Sequence, residues 1–277
     1  LYILDDGSDK DFKKTLVQTS FEYSDKLPIH VWLNGSNQGI GYQFEKAYNI
    51  ARMTEDVDIV VFAESDYVWR KGWLEDVIAV FNASKNTIAI SGIDHPDFYK
   101  RKKTHDEYCK LTVDHYGEDL KSRDYLYNHF YLKTNRGIIK VQGTSHGCGC
   151  QIIYWKRLKQ ILKEGDESTN ALPFTTKEYW KILDRAFHKN GIGDRRYASD
   201  SHLSSVNAYF SEKYMLHKGI NIKKNFGFLS ISDYGLSNHQ CGMGVSMENT
   251  KIKEHETIIL SPSWDYLYLT KDPREKS

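Results

Sequence analysis

An α/β fold with a mostly parallel central sheet is predicted by the alternation of strand-like and helix-like segments through residues 1–92. The strand-like segments are short apolar runs, and the helix-like segments between them carry apolar residues at helical spacing. Phe44, Ala47 and Tyr48 show this spacing in the second predicted helix. The apolar run at 59–62 has few polar interruptions, which favours a strand covered on both faces.

The predicted elements follow one another in a regular order. Strands are expected at 1–4, 29–33, 59–62 and 88–92, with helices at 12–19, 42–53 and 73–81 between them. In the second half, a hairpin is expected from 125–132 and 138–141, and strands at 220–222 and 227–231. Further helices are expected at 156–164, at 177–189 and in a segment ending at about 213. Since no repeat or linker interrupts this order, we expect a single domain over 1–277.

Two acids end the third predicted strand. Glu64 and Asp66 follow the apolar run directly. Open α/β sheets bind ligands at the carboxyl ends of their strands, and carboxylates there need a cation or a polar substrate. A turn with two solvated acids is the alternative that the residues alone leave open.

The bulk composition is that of an ordinary globular protein. The formal charge is +1 and the isoelectric point about 7.8, so no overall charge favours a nucleic-acid partner. With 4 cysteines, free thiols in a reducing, cytoplasmic compartment are expected for a soluble chain. No apolar run approaches the ~20 residues of a membrane span. The chain begins within a predicted strand, so we expect that upstream sequence is missing.

Four short motifs follow one another in the first half of the chain: Asp5-Asp6-Gly7-Ser8, Asn37-Gln38-Gly39, Glu64-Ser65-Asp66 and Gly72-Trp73-Leu74. In this order they resemble the motifs of family 2 glycosyltransferases of the GT-A fold. The third is a DxD-like motif, and Glu64 stands where the family usually has Asp. The family's first strand has no counterpart here, which fits a chain trimmed upstream.

The resemblance implies a metal-dependent transferase that uses a UDP-linked donor sugar. The expected nucleotide-sugar contacts come from Asp5, Asp6, Asn37, Gly39, Glu64, Ser65 and Gly147. Asp6 is expected to accept a hydrogen bond from the uracil imide. Mn²⁺ or Mg²⁺ is expected on Asp66, with Glu64 and His239 as further candidate ligands. Residues 1–92 would form the nucleotide-sugar half and 93–277 the acceptor-binding, catalytic half.

An inverting single displacement is the reaction that the resemblance implies. Ser199-Asp200 is similar to the family's Glu-Asp segment at a helix start, with Ser199 in place of Glu. Asp200 would then take the proton of the acceptor hydroxyl, and Asp194 is the second candidate. Helix capping is the alternative for Asp5, Asp6 and Asp200.

Other readings of the same residues stay open. His146, Cys148, Cys150, His239 and Cys241 could together hold zinc, although their spacing is not that of a zinc knuckle. A nucleotidyltransferase of similar fold and a non-catalytic glycan- or nucleic-acid-binding module are the alternative functions.

The acceptor is left open among a glycan, a protein, a lipid-linked sugar and a hydroxymethylated DNA base. The basic run 100–103 is what keeps a DNA acceptor in consideration, although a solvated loop is the simpler interpretation of such a run.

Overall fold

Six helices and ten strands make up the part of the chain that the structure, a computed structural model, describes. That part is residues 1–64, 67–91, 129–143, 150–168, 174–187, 200–222, 225–231 and 237–239. The helices are α1 (Lys10–Glu22), α2 (Ile40–Met53), α3 (Trp73–Ala83), α4 (Trp155–Glu167), α5 (Thr176–Phe187) and α6 (Asp200–His217). The strands are β1 (Tyr2–Asp5), β2 (His30–Leu33), β3 (Val60–Ala63), β4 (Tyr67–Trp69), β5 (Ala89–Ser91), β6 (His129–Thr134), β7 (Gly137–Gly143), β8 (Cys150–Ile153), β9 (Phe228–Ile231) and β10 (Ser237–His239).

The largest sheet has six strands in the order β3-β8-β5-β9-β7-β6. β3, β5 and β9 run in one direction, while β8 and β7 run against them. The parallel pairs are β5 with β9 and, in a separate two-stranded sheet, β1 with β2. The α/β class is confirmed. The described six-stranded sheet is mixed and not mostly parallel as predicted, because β8 inserts between β3 and β5 and a hairpin adds β7 and β6.

Most predicted elements are confirmed, but there are two differences. The segment 220–222 is not a strand, because it closes the end of α6: Gly219 has φ +69° and Ile220 N–H donates to the carbonyl of Met215 at 2.8 Å. This is the bonding of a Schellman cap. β4 and β10 were not predicted, and they pair with each other over three residues each.

Two hydrophobic clusters cover opposite faces of the six-stranded sheet. α2, α4, α5 and α6 pack on one face, against side chains that include Phe62 and Ile153. α3 packs on the other face, against side chains that include Ile90 and Ile152. Because neighbouring strand residues point to opposite faces, Ile152 and Ile153 enter different clusters. The described domain is therefore a helix–sheet–helix sandwich.

β3 is less covered than the sequence predicts. Phe62 is 5% exposed, whereas Val61 is 37% exposed. β3 stands at the end of the described strand order and has one neighbour there, β8. A strand at that position keeps part of its surface open, which explains the departure from the expected burial on both faces.

The buried carboxylate of Asp76, in α3, binds two arginines: Arg70, before the helix, and Arg136, at the β6–β7 turn. The side chains of Arg70 and Asp76 are both fully buried, and an Arg70 guanidinium nitrogen donates to Oδ2 of Asp76. Arg136, at the β6–β7 turn, donates through Nε to Oδ1 of the same carboxylate at 2.8 Å. One carboxylate thus receives charge-assisted hydrogen bonds from two arginines.

We expect Asp76→Asn to lower the free energy of unfolding by about 3–5 kcal/mol, because it leaves a buried guanidinium without its counter-charge. Urea denaturation measures this loss. The matched control is Asp58→Asn, at a pair with Lys156 whose two side chains are 66% and 71% exposed. The control should change stability by less than about 1 kcal/mol. Equal losses in the two variants would contradict the assignment.

Candidate functional site

The loop after β1 is shaped by the carboxylate of Asp5. Its two oxygens accept hydrogen bonds from Gly7 N–H at 3.1 Å and from Ser8 N–H at 3.3 Å. Asp5 is 6% exposed, and Lys13 Nζ lies 3.7 Å from its Oδ2. Burial opposes ionisation of this carboxyl, but the hydrogen bonds from Ser8 and Gly7 and the charge of Lys13 outweigh it and lower its pKa. Asp5 is therefore an ionised turn-forming residue.

Asp6 reaches across to the loop that begins α2. Its Oδ1 accepts hydrogen bonds from Gln38 N–H at 2.8 Å, from Gln43 Nε2 at 2.7 Å and from Asn34 Nδ2 at 3.3 Å. Its Oδ2 accepts one from Gly39 N–H at 2.9 Å. The first residues of α2 have no cap from the helix's own N-cap residue, Gly39. Asp6 instead binds the two backbone N–H groups directly before α2 and one side chain of its first turns, and so fixes the loop that leads into this helix.

Helix capping was one interpretation of Asp5 and Asp6, and the structure assigns the cap of α1 to another residue. Asp9 accepts a hydrogen bond from Phe12 N–H at 2.8 Å and is the N-cap of that helix. Asp5 forms its own turn, and Asp6 stabilises the start of α2 instead. The uracil contact expected of Asp6 stays a prediction.

Gly7 lets the two loops touch. Its φ is +89°, and a Cβ atom built on it would lie 2.4 Å from Asn37 N and 2.4 Å from the carbonyl carbon of Ser36. A side chain larger than hydrogen would push these backbones apart. The structure thus brings together four predicted nucleotide-sugar residues, Asp5, Asp6, Asn37 and Gly39.

Two lysines also join this pair of loops, and sequence reasoning missed them. Lys13 Nζ donates to the carbonyl of Asn34 at 2.6 Å, and Lys46 Nζ donates to Asn34 Oδ1 at 3.0 Å. The Lys46 ammonium also lies 4.3 Å from the ring centre of Trp32. The sequence position of the two lysines could have indicated this role. Each lysine stands on a helix that directly follows one of the motifs, α1 or α2.

The end of β3 leads to a second small sheet. Glu64, half-buried, is the last described residue after β3. β4 begins at Tyr67 and pairs with β10 so that Tyr67 stands opposite His239. Paired Cα atoms in an antiparallel ladder are about 4.5–5.5 Å apart. The backbone of His239 is therefore next to the residue that follows Asp66.

Several predicted residues lie outside the described residues. These are Ser65, Asp66, Gly147, Asp194, the basic run 100–103 and, of the zinc candidates, His146, Cys148 and Cys241. Cys150 is buried on β8. Within the part of the chain that is described, which omits Asp66, no group of three or more His, Cys, Asp or Glu residues is arranged to hold a metal.

The start of α6 lies at the same edge of the sheet as Glu64. In the second half of α6, Ser211 packs closely on Gly227, the residue before β9. A Cβ added to Gly227 would lie only 2.2 Å from the Cβ of Ser211. One turn earlier, Asn207 donates to Gln151, which pairs with the last residue of β5. α6 thus runs from the carboxyl ends of β5 and β9 towards their starts. Asp200, its first residue, is about 10 Å beyond Asn207 along the helix axis.

Helices long and apolar enough to cross a membrane are absent from the described segments.

Residues 1–161, more than half of the chain, match the model of the family described as Glycosyl transferase family 2. No curated protein and no solved structure matches the chain. The family match covers the described motifs at Asp5–Ser8, Asn37–Gly39 and Glu64. The chain therefore belongs to this glycosyltransferase family, and its GT-A fold is that of the family.

We expect Gly7→Ala to lower the free energy of unfolding by about 1–3 kcal/mol, because the new Cβ separates the two loops. Gly35→Ala is the matched control in the neighbouring loop, since a Cβ at Gly35 meets nothing within 4 Å. The control should stay within about 0.5 kcal/mol of the wild type. Thermal or urea unfolding of both variants checks this, and a harmless Gly7→Ala would show that the loops are not in close contact.

The lowered pKa of Asp5 predicts a pH-dependent contribution to stability. A carboxyl whose pKa is lower in the folded chain than its ordinary value of 3.8 stabilises the fold above that value. Its contribution is lost as the pH falls through the lowered pKa. Asp5→Asn should therefore destabilise the chain at about pH 7 and 5 and progressively less near pH 3.

Urea unfolding at the three pH values measures the difference between wild type and Asp5→Asn. Asp25→Asn, at an exposed turn residue, is the control. A difference that stays constant down to low pH would mean that the loss comes from the altered hydrogen-bond geometry and not from the charge.

Proposed function

We propose that this member of Glycosyl transferase family 2 moves a sugar from a UDP-sugar to an acceptor hydroxyl, using Mn²⁺ or Mg²⁺ and inverting the anomeric centre in one displacement. The observation that carries the proposal is the pairing of β4 with β10. In this pairing the backbone of His239 lies opposite Tyr67. Tyr67 directly follows Asp66, which is 173 positions before His239 in a chain whose family transfers sugars. The family match favours glycosyl transfer over nucleotidyl transfer.

The metal is assigned to Asp66, with Glu64 and His239 as further ligands. Carboxylate oxygens with one imidazole form a donor set that suits Mn²⁺, and carboxylates suit Mg²⁺. A bound divalent cation would neutralise the charge that develops on the departing diphosphate. The register of β4 with β10 supports His239, and the end of β3 supports Glu64, because both backbones flank the segment that contains Asp66.

The uracil is assigned to Asp6, and the hydrogen bonds in the site indicate which oxygen is available. Oδ1 already accepts three hydrogen bonds, whereas Oδ2 accepts one, from Gly39. A carboxylate offers about four acceptor positions over its two oxygens. The imide N–H of the base would therefore bind at Oδ2. Asp5 acts here by holding the turn that carries Asp6.

The base is assigned to Asp200, with Asp194 as the second candidate. In an inverting transfer, one carboxylate takes the proton of the acceptor hydroxyl as its oxygen attacks the anomeric carbon. The direction of α6 supports Asp200, because the start of this helix lies beyond the carboxyl ends of β5 and β9. A glycan, a protein or a hydroxymethylated DNA base would supply the hydroxyl.

We expect Asp66→Ala to abolish the Mn²⁺-dependent part of UDP binding, a loss of at least about tenfold in affinity, because metal ligation ties the diphosphate to the protein. Titration of UDP with and without Mn²⁺ measures it. Asp58→Ala is the control, since Asp58 is an exposed acid that precedes the amino end of β3. Metal-dependent binding that survives in Asp66→Ala would contradict the metal assignment.

The same titration separates the alternative functions. A wild-type chain with no metal-dependent affinity for UDP would favour the non-catalytic binding module. Release of UDP from UDP-glucose, UDP-galactose and UDP-N-acetylglucosamine, with and without hydroxymethylated DNA, then identifies the donor and tests the DNA acceptor.

A further inference from the structure

A buried hydrogen-bond network centres on Asn207, in the middle of α6. Asn207 Nδ2 donates to Tyr48 Oη at 3.2 Å and to Gln151 Oε1 at 3.1 Å. Asn207 Oδ1 accepts from Tyr179 Oη at 2.8 Å. Each of the four residues is at most 1% exposed. Both amide hydrogens and the amide oxygen of Asn207 are thus in use.

The network joins four elements that carry or border the site. Tyr48 belongs to α2, which also carries Gln43, a hydrogen-bond donor to Asp6. The Tyr48 ring stacks on Phe62 of β3 with ring centres 4.4 Å apart. Gln151 belongs to β8 and pairs with Phe62 on one side and with the end of β5 on the other. Tyr179 belongs to α5. The amide of Asn207 therefore fixes α6 against the nucleotide-binding helix and the sheet at once.

Apolar packing alone would define the position of α6 less sharply. Hydrophobic contacts tolerate a small rotation or slide of a helix, whereas three hydrogen bonds to one amide are met in one arrangement only. A buried polar group is costly unless its partners are in place, so displaced arrangements of α6 are disfavoured. The network therefore sets both the rotation of the helix and its position along its axis.

Asp200 stands seven residues before Asn207 on the same helix. Seven residues are almost two full turns, and the angular offset is only about 20°. The Cα atoms of Asp200 and Asn207 therefore lie on the same side of α6, about 10 Å apart along its axis. A rotation or slide that broke the hydrogen bonds of Asn207 would move Asp200 by a similar amount.

We propose that Asn207 is a positioning residue that acts through Asp200: its buried amide fixes the position of α6, and therefore the position of Asp200 at the start of that helix. The proposal rests on the proposed function, because it takes Asp200 as the base. Asn207 does not touch substrate. Its effect is on the rate of the transfer step, and not on binding of the nucleotide, which involves α2, β1 and the β3–β4 segment.

A double-mutant cycle tests the proposal. The variants are Asn207→Leu, Asp200→Asn and their combination. The readouts are UDP affinity with Mn²⁺ and kcat for UDP release, using whichever of UDP-glucose, UDP-galactose and UDP-N-acetylglucosamine the wild type turns over fastest. We expect Asn207→Leu to lower kcat by up to about 100-fold, as displacement of a catalytic group by about 1 Å does. UDP affinity should stay within about twofold, because Asn207 takes no part in the hydrogen bonds of Asp6 that hold the two loops of the nucleotide site together.

In the Asp200→Asn background, Asn207→Leu should cause no further loss of kcat, because a residue that acts through Asp200 has nothing left to position. A purely structural role would lower the rate by the same factor in both backgrounds, which would overturn the proposal. Thr87→Val is the matched control, because Thr87 is fully buried and donates through Oγ1 to the carbonyl of Phe226, at the other end of the sheet. It should cost stability and leave kcat unchanged.

If Asn207→Leu does not fold, the same cycle is run with Tyr179→Phe, which removes one hydrogen bond to Asn207 and keeps the ring. Unchanged kcat in folded Asn207→Leu would overturn the proposal while the proposed function stands. Where Asn207→Leu does not fold, unchanged kcat in folded Tyr179→Phe would overturn it. Full activity of Asp200→Asn would instead overturn the base assignment itself. The two failures are therefore distinguishable.

Discussion

The hydrogen bonds of the Asp6 carboxylate at the start of α2 are the contact on which the rest of the site depends. β1 and α2 are separated in the sequence by α1 and β2, and Asp6 joins them by binding Gln38 and Gly39 N–H groups. The same helix carries Tyr48, which stacks on Phe62 of β3 and accepts from Asn207 of α6. The helix α2 therefore contacts the Asp6 loop, β3 and α6, and fixes their positions relative to one another.

Stabilising a loop and binding a ligand are not competing roles for Asp5 and Asp6. A loop whose carboxylates already accept backbone hydrogen bonds loses little conformational freedom when a nucleotide arrives. Oxygens that are held in place before binding also avoid the cost of reorganisation. The hydrogen bonds that Asp5 and Asp6 accept from the loops are therefore consistent with a preorganised binding site. Such a site also needs an open acceptor position, and Oδ2 of Asp6, which accepts one hydrogen bond, provides it.

The local sequence pattern predicted the helices and the longer strands, because amphipathic spacing and turn residues involve positions that are close together in the sequence. It did not predict β4 and β10, because each has only three residues and is formed by pairing with a partner far away in the chain. It also missed Asn207, which has the appearance of a solvated residue until α2, α5 and β8 close around it. Long-range contacts, and not local preference, decided these positions.

In the sequence, the DxD-like motif connects the strand β3 of the six-stranded sheet to the strand β4 of the small sheet. Ala63, before Glu64, pairs with Cys150 of β8, whereas Tyr67, after Asp66, pairs with His239 of β10. Glu64 therefore directly follows the strand of the six-stranded sheet, and the small β4–β10 sheet begins at Tyr67, the residue after Asp66 in the sequence. A glutamate in place of the family's first aspartate changes side-chain length on the β8 side of the motif. The departure at position 64 consequently bears less on the proposed metal site than a change at Asp66 would, because the imidazole candidate His239 stands on the Asp66 side.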